Sequence, residues 1–195
     1  TSFGFDMGKT IPDHRLFNKN LAGGGILDVG LYPISFSRLI AGVATGDKFS
    51  EPKFLDAEAT IGETGVDEIA HANLEFKNGI KAKVSTAIRE TMKNNAVIIG
   101  SKGKIELPDP WMPGRDGGPF HAKIIINKNE YEEIVDVKGP EHLFFFEGEL
   151  ASQCIAKEKT EPPHPAMTWE DTLGNLKALD TCREKVNYKL PQDEI

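Results

Sequence analysis

From Lys53 to Val137 the chain reads as strand after strand, with no helix-length segment between them. Ile80, Ala82, Val84 and Thr86 alternate with Lys81, Lys83 and Ser85, the period-two pattern of a half-buried strand. Asn78-Gly79, a strong hairpin turn signal, separates this run, Ile80–Arg89, from Glu68–Phe76. Further strands are expected at Lys53–Ile61, Asn95–Ile99, Lys104–Leu107, Ala122–Ile126 and Glu130–Val137, the last two joined around Asn127-Lys128-Asn129. Strands this close in sequence return antiparallel, since a parallel return needs a crossover of about a dozen residues or more.

Helices flank the strands. One is expected from Gly25 to Ala41, with Ile26, Val29, Phe36, Leu39 and Ile40 in helical period, and Pro33 should bend it and leave the Val29 carbonyl unpaired or bound to something else. Two more are expected at His142–Lys157 and from Thr168 to Val186, where Thr168 is a candidate N-cap with Asp171 three residues on. Residues 1–7 read as a short strand and 8–22 as a polar loop. Segregated elements of this kind predict an α+β domain over 1–195: a single open-faced, largely antiparallel (mixed) sheet with helices packed on one face. The uncovered sheet face predicts a homodimer formed sheet to sheet.

A net charge of −7 argues against a nucleic-acid binder, because phosphate neutralisation needs clustered Lys and Arg. No apolar run approaches the ~20 residues of a membrane span, and the start lacks the pattern of a secretory signal. Cys154 and Cys182 stand far apart with no CxxC spacing, which fits two reduced thiols in the cytoplasm. The chain opens on Thr1, with Phe3 and Phe5 already alternating, and is expected to be a piece of a longer protein.

The chemistry points to Gly23–Tyr32, which packs three successive glycines, Asp28 and Tyr32 into ten residues. On a helix starting near Gly25, Asp28 and Tyr32 share a face. Asp28 can then bind a substrate hydroxyl while Tyr32 exchanges a proton with it; the plain alternative is an N-terminal helix acid beside a half-buried tyrosine. A phenol in water ionises near ~10, so such a role needs a cation nearby, and sequence spacing supplies no lysine. Gly24 and Gly25 allow a close backbone approach. His14 and Arg15, in the loop before the helix, can reach an anionic cofactor or substrate, or simply be solvated. Trp111 and Arg115, in the irregular Pro108–Pro119 segment, can close over a ligand or rest on the domain. Gly4-Phe5-Asp6-Met7-Gly8-Lys9-Thr10 is one residue short of a phosphate loop, and Pro12 opposes the helix that must follow. The five histidines show no metal-ligand spacing, so no metal site is expected. Glu130, Glu132 and Glu133 read as a solvated strand edge, and Phe144-Phe145-Phe146 as a cluster packed under the sheet or on a further domain.

Gly23, Gly24, Asp28 and Gly30, with Asp13-His14-Arg15-Leu16-Phe17 upstream, resemble the C-terminal domain of the glucose-fructose oxidoreductase and inositol dehydrogenase (Gfo/Idh/MocA) family. That family's helix carries Gly-Gly-x-x-x-Asp-x-Gly-x-His, and Tyr32 stands at its His. Tyr32-Pro33-Ile34 resembles the dihydrodiol dehydrogenase and glucose-fructose oxidoreductase branch, and Ser35 departs from the Asp common in the His-bearing members. Val97–Gly103 and Trp169–Asn175 extend the resemblance along the chain. It implies a substrate-binding and oligomerisation domain of an NAD- or NADP-dependent oxidoreductase acting on a sugar, polyol or cyclic diol. Tyr32 would be the acid/base and Asp28 would position the substrate, with Arg15, His14, Gly24, Gly25 and Trp111 as contacts. The family's N-terminal Rossmann domain, which binds most of the cofactor, and its Glu-Lys-Pro motif do not occur in this sequence, so the domain alone is expected to be inactive. The missing lysine would be the cation that Tyr32 needs. The alternatives are a non-catalytic binding or dimerisation module and, with no second carboxylate in evident partnership, a hydrolase using Asp28.

Overall fold

The structure is a computed structural model and describes residues 1–115 and 117–194. The chain divides into two compact units, residues 1–93 with 169–195, and residues 94–168.

The first unit holds a four-stranded sheet of β1 (Ser2–Gly4), β2 (Lys53–Ile61), β3 (Asp67–Glu75) and β4 (Lys81–Ala87), in the order β1-β4-β3-β2. β2, β3 and β4 are antiparallel neighbours, whereas β1 runs parallel to β4, with Phe3 opposite Thr86. The β3–β4 hairpin turns at Asn78 and Gly79, whose φ values are 63° and 75°, as the Asn-Gly signal requires. Three helices pack on this sheet: α1 (Gly25–Asp28), α2 (Leu31–Thr45) and, numbered in chain order, α4 (Trp169–Lys185).

Alternation decides which face is covered. Ala70, Ala72, Leu74 and Phe76 point inward with Val84 and Phe54, and meet Ile26, Ile34, Ala41, Ala178 and Leu179 from the helices. The other face carries polar rows in register: Glu58, His71 and Ser85; Asp56, Asn73 and Lys83; Lys53, Glu75 and Lys81. The first-unit sheet therefore lacks the apolar open face from which the homodimer was expected. Both long helices bury the same spacing. α2 buries Ile34, Arg38, Ala41 and Gly42, and α4 buries Gly174, Asn175, Ala178, Leu179, Cys182 and Arg183. This is the stripe of a one-sided helix. α2 ends at Gly46, in the left-handed region at φ 81°, whose N–H donates to Gly42 O.

The second unit is a meander of β5 (Asn95–Gly100), β6 (Gly103–Pro108), β7 (Phe120–Lys128) and β8 (Tyr131–Gly139), followed by α3 (Leu143–Ala156). All its pairings are antiparallel. One face lines up Ile98, Ile105 and Ile126 in one row and Ile124 with Val135 in another. Phe144, Phe145 and Phe146 lie at the start of α3, and each keeps more than 40% of its surface exposed. Phe146 stacks edge-on against Phe120 and over Gly139, so the cluster is only partly covered by this chain.

The α+β class, the largely antiparallel pairing and the helix-covered face are as read from the sequence. The strands form two sheets and not one, because β1 occupies the edge of β4 that β5 would need. The expected Gly25–Ala41 helix is likewise two helices. It breaks at Val29-Gly30, not at Pro33, which sits in the first turn of α2 where a missing N–H costs no hydrogen bond. The Val29 carbonyl, denied a partner at Pro33, accepts the Tyr32 N–H at 3.2 Å instead, the second of the two outcomes expected for it. Among the described residues no single helix is long and apolar enough to cross a membrane.

Candidate functional site

A one-turn helix is unstable by itself, because nucleation fixes many dihedrals for few hydrogen bonds. α1 is held from outside instead. Gly24 N–H donates to Leu16 O at 2.9 Å, and Gly23 N–H to Asn18 O at 3.1 Å. The Tyr188 hydroxyl donates to Gly23 O at 2.8 Å. The Thr86 hydroxyl donates to Gly25 O at 3.0 Å. At the head of the helix, Asp67 Oδ2 accepts the Ile26 N–H at 2.7 Å.

The glycines are explained by these neighbours. Gly24 has φ 106°, a conformation that side chains rarely adopt, and a Cβ there would overlap Asp67 Oδ1. A Cβ on Gly23 would lie 2.7 Å from Leu16 O. Gly24 and Gly25 are themselves buried. The close approach that the sequence allowed for a ligand is thus made by the chain's own Asp67.

Asp67 is fully buried, and its Oδ1 has no hydrogen-bond partner among the described residues. Burial pushes its carboxyl up to about 7, against the opposing pull of the Ile26, Asp67 and Gly25 amides and of Arg183. The nearby Cys182 thiol and Tyr188 phenol are each driven up to about 12, chiefly by burial and then by the Asp67 charge. Arg183 donates to Asp180 and Asp193, and the Arg183 bond, with help from the Leu190 amide, holds the Asp193 carboxyl down at about 2. Sequence reasoning missed Asp67 and Tyr188. They lie 41 and 165 residues from their partners Ile26 and Gly23, and no local pattern marks either.

Asp28 closes α1, and its N–H donates to Gly24 O at 3.2 Å. Its carboxylate is paired with Arg15 Nη1. Arg15 thus meets a carboxylate of its own chain, while most of its side chain stays open to solvent at 66% exposure. Tyr32 lies in the first turn of α2, 41% exposed. Its ring meets buried Phe3 of β1 edge-on, with centroids 5.1 Å apart. The parallel pairing of β1 with β4 is what places Phe3 there. His14 is turned to local work: its Nδ1 accepts the Leu16 N–H at 3.3 Å. Trp111 belongs to the second unit, where it is half-buried between β6 and β7. The structure thus brings Arg15 to Asp28 and Asp67 to Gly24 and Gly25. Asp28 and Tyr32 flank the break between α1 and α2. Among the described residues no group of three or more potential ligands is placed to hold a metal.

Residues 1–106 match the family model for the GFO/IDH/MocA C-terminal domain. The chain belongs to the GFO/IDH/MocA family. A trans-1,2-dihydrobenzene-1,2-diol dehydrogenase of Xenopus tropicalis is 32% identical over 184 residues, covering 91% of this chain and 51% of that protein. The enzyme of the same name from Mus musculus is 27% identical over 198 residues, covering 98% and 54%. Among solved structures, a 3-ketoreductase from Actinomadura kijaniata in complex with NADP and TDP-benzene superposes with a TM-score of 0.73 at 21% identity, over 95% of this chain and 52% of that one. An aldose-aldose oxidoreductase from Caulobacter crescentus complexed with glycerol gives 0.74 at 22%, again over 95% and 52%. At these identities the structures show a shared fold. The chain spans about half the length of the relatives it matches.

Proposed function

We propose that this chain is the substrate-binding domain of an NAD(P)-dependent oxidoreductase that acts on a hydroxyl or carbonyl carbon of a sugar, polyol or cyclic diol. The observation that carries this reading is the pair of polar groups at the α1–α2 break: Asp28 held by Arg15, and the exposed phenol of Tyr32 braced on Phe3. Membership of an oxidoreductase family, with dehydrogenases among the relatives, supports it. The nicotinamide, when bound, takes or gives the hydride. A nucleotide-binding domain outside this chain holds most of that cofactor, and the chain alone is inactive.

In this reading Tyr32 gives its proton to a substrate carbonyl oxygen during reduction and recovers it during oxidation. Asp28 accepts a hydrogen bond from a neighbouring substrate hydroxyl, and its ion pair with Arg15 keeps it an acceptor. The rest of Arg15, with His14, contacts the substrate or cofactor. A cation from the nucleotide-binding domain eases the Tyr32 proton transfer. The protein is cytoplasmic, in keeping with its two free thiols. It dimerises through a sheet face, for which the Ile98, Ile105 and Ile126 row of the second unit is the best-suited surface.

The test is Tyr32→Phe in the full-length protein. Phenylalanine keeps the ring contact with Phe3 and removes only the proton donor. General acid–base catalysis contributes about 10²–10⁴-fold, so kcat should fall at least a hundredfold with folding intact. A kcat within about twofold of the parent would remove Tyr32 from the chemistry.

A further inference from the structure

We propose that Asp67 and Tyr188 are positioning residues that clamp the Gly23–Ile26 turn from two sides and so set where Asp28 presents its carboxylate. The proposal rests on the reading of Asp28 as a substrate contact given above. Neither residue touches Asp28. Asp67, at the head of β3, accepts the Ile26 N–H of α1 at 2.7 Å. Tyr188, beyond the end of α4, donates to Gly23 O at 2.8 Å. Between those two points stand Gly24 and Gly25, and Gly24 O accepts the amide of Asp28 itself. One turn of helix has no length over which to absorb a shift, so a displacement of Gly24 is passed on to Asp28.

The clamp is built at some expense. Asp67 is fully buried, and among the described residues its Oδ1 has no hydrogen-bond partner, a state that costs free energy unless the group is needed there. Gly24 accepts a φ of 106° so that the carboxylate can approach. The C-terminal segment is also tied to the residues just before that turn: Gln192 Nε2 donates to Asn20 O at 3.0 Å, and the Lys19 ammonium sits 5.8 Å from the centre of the Tyr188 ring. Arg183 and Cys182 of α4, with Tyr188, are the titratable groups that face Asp67. A helix cap that served stability alone would not require three separate parts of the chain to converge on the turn before Asp28.

The experiment compares Asp67→Ala, Asp67→Asn and Tyr188→Phe in the full-length protein, by amide hydrogen exchange and by steady-state kinetics. Asp67→Ala should speed exchange at Ile26 and Asp28 at least tenfold more than at the β3 amides. It should raise KM for the hydroxyl substrate severalfold while leaving KM for the nicotinamide cofactor unchanged. Asp67→Asn, which keeps an acceptor for Ile26 N–H, should restore most of both. Tyr188→Phe retains the ring, and should speed exchange at the same two amides to a smaller degree; it decides the matter if Asp67→Ala does not fold. Unchanged exchange at Ile26 and Asp28 in a folded variant would overturn the clamp whatever the kinetics. An Asp67→Asn protein no better than Asp67→Ala would do the same. Faster exchange with unchanged kinetics would overturn the link between the clamp and Asp28, while the substrate role of Asp28 itself is read separately from Asp28→Asn, which should raise KM for the hydroxyl substrate.

Discussion

Replacing Arg38 by Met should cost about 3–5 kcal/mol of stability. Arg38 is fully buried on α2, and its guanidinium joins α2 to α4. Nη1 donates to Asn175 Oδ1 at 2.6 Å, to Asp171 O at 3.1 Å and to the Asp171 carboxylate. Nη2 and Nε donate to the two oxygens of Glu51 at 2.6 and 3.3 Å. The group also lies 4.8 Å from the centre of the Phe49 ring. Methionine refills part of the aliphatic volume and supplies none of these donors. The cost falls unevenly. Glu51 is 56% exposed and is rehydrated when its partner leaves, so its share is under about 1 kcal/mol. The Asp171 side chain is only 16% exposed, and Asn175 is buried. Loss of the cation that they share therefore carries most of the effect, about 1–3 kcal/mol for each polar group left short of a partner. Urea unfolding followed by circular dichroism measures it. Glu51→Gln should shift the free energy by less than about 1 kcal/mol, and Arg38→Met with Asp171→Leu should recover part of the single-variant loss, since the uncompensated charge is gone. A loss below about 1 kcal/mol for Arg38→Met, or a double variant no better than the single, would refute the reasoning.

Two further outcomes follow from the glycine turn. Because the Asp67 carboxyl titrates near about 7 when folded, against an ordinary 3.8, the folded protein binds more protons than the unfolded chain between those values. Its contribution is therefore fully present below about pH 4 and is lost as pH rises towards 7, by roughly 4 kcal/mol at about 1.4 kcal/mol per unit. Urea midpoints measured from pH 4 to 8 should show that decline, and Asp67→Asn should flatten it; an equal slope in both proteins would contradict the assignment. Gly24→Ala should cost at least about 3 kcal/mol, from the strained φ together with the overlap on Asp67. Gly46→Ala, also at positive φ but with open space around it, should cost only about 1 kcal/mol by the same assay; equal losses would mean that the Asp67 approach is unimportant.

The strands were legible because their signals are local. Lys53–Ile61 is β2 as read, and Asn78-Gly79 turns β3 into β4 because two successive residues there must take positive φ. The helices over residues 143–156 and 169–185 fall within a residue or two of their apolar periods. What the sequence concealed is long-range. The parallel pairing of Phe3 with Thr86 joins the chain's first residues to its fourth strand and splits one expected sheet into two. Arg38 looks like a surface residue until Asp171, 133 positions away, is placed beside it. Pro33 read as the kink because the position of the helix start was unknown. Once α2 begins at Leu31, the proline lies in the first turn and the break passes to Val29-Gly30. At the candidate site, the spacing put Asp28 and Tyr32 on one face of one helix, whereas the break at Val29-Gly30 puts them on two. Their supports, Arg15 excepted, come from β1, β3 and the C-terminal segment, and no spacing rule reaches them.

This division bears on what the glycine motif means. Three adjacent glycines beside an acid and a phenol suggest a backbone opened for a ligand. In the folded chain the space that the missing side chains leave is filled from within, by Asp67 at Gly24 and by the Leu16 carbonyl at Gly23. The glycines and the acid therefore have different tasks. The glycines let a turn be gripped tightly by distant parts of the chain, and that grip lets a helix too short to stand alone end in a fixed carboxylate. A substitution at Gly24 should then disturb substrate contacts through Asp28, and should not do so by blocking a pocket at Gly24 itself.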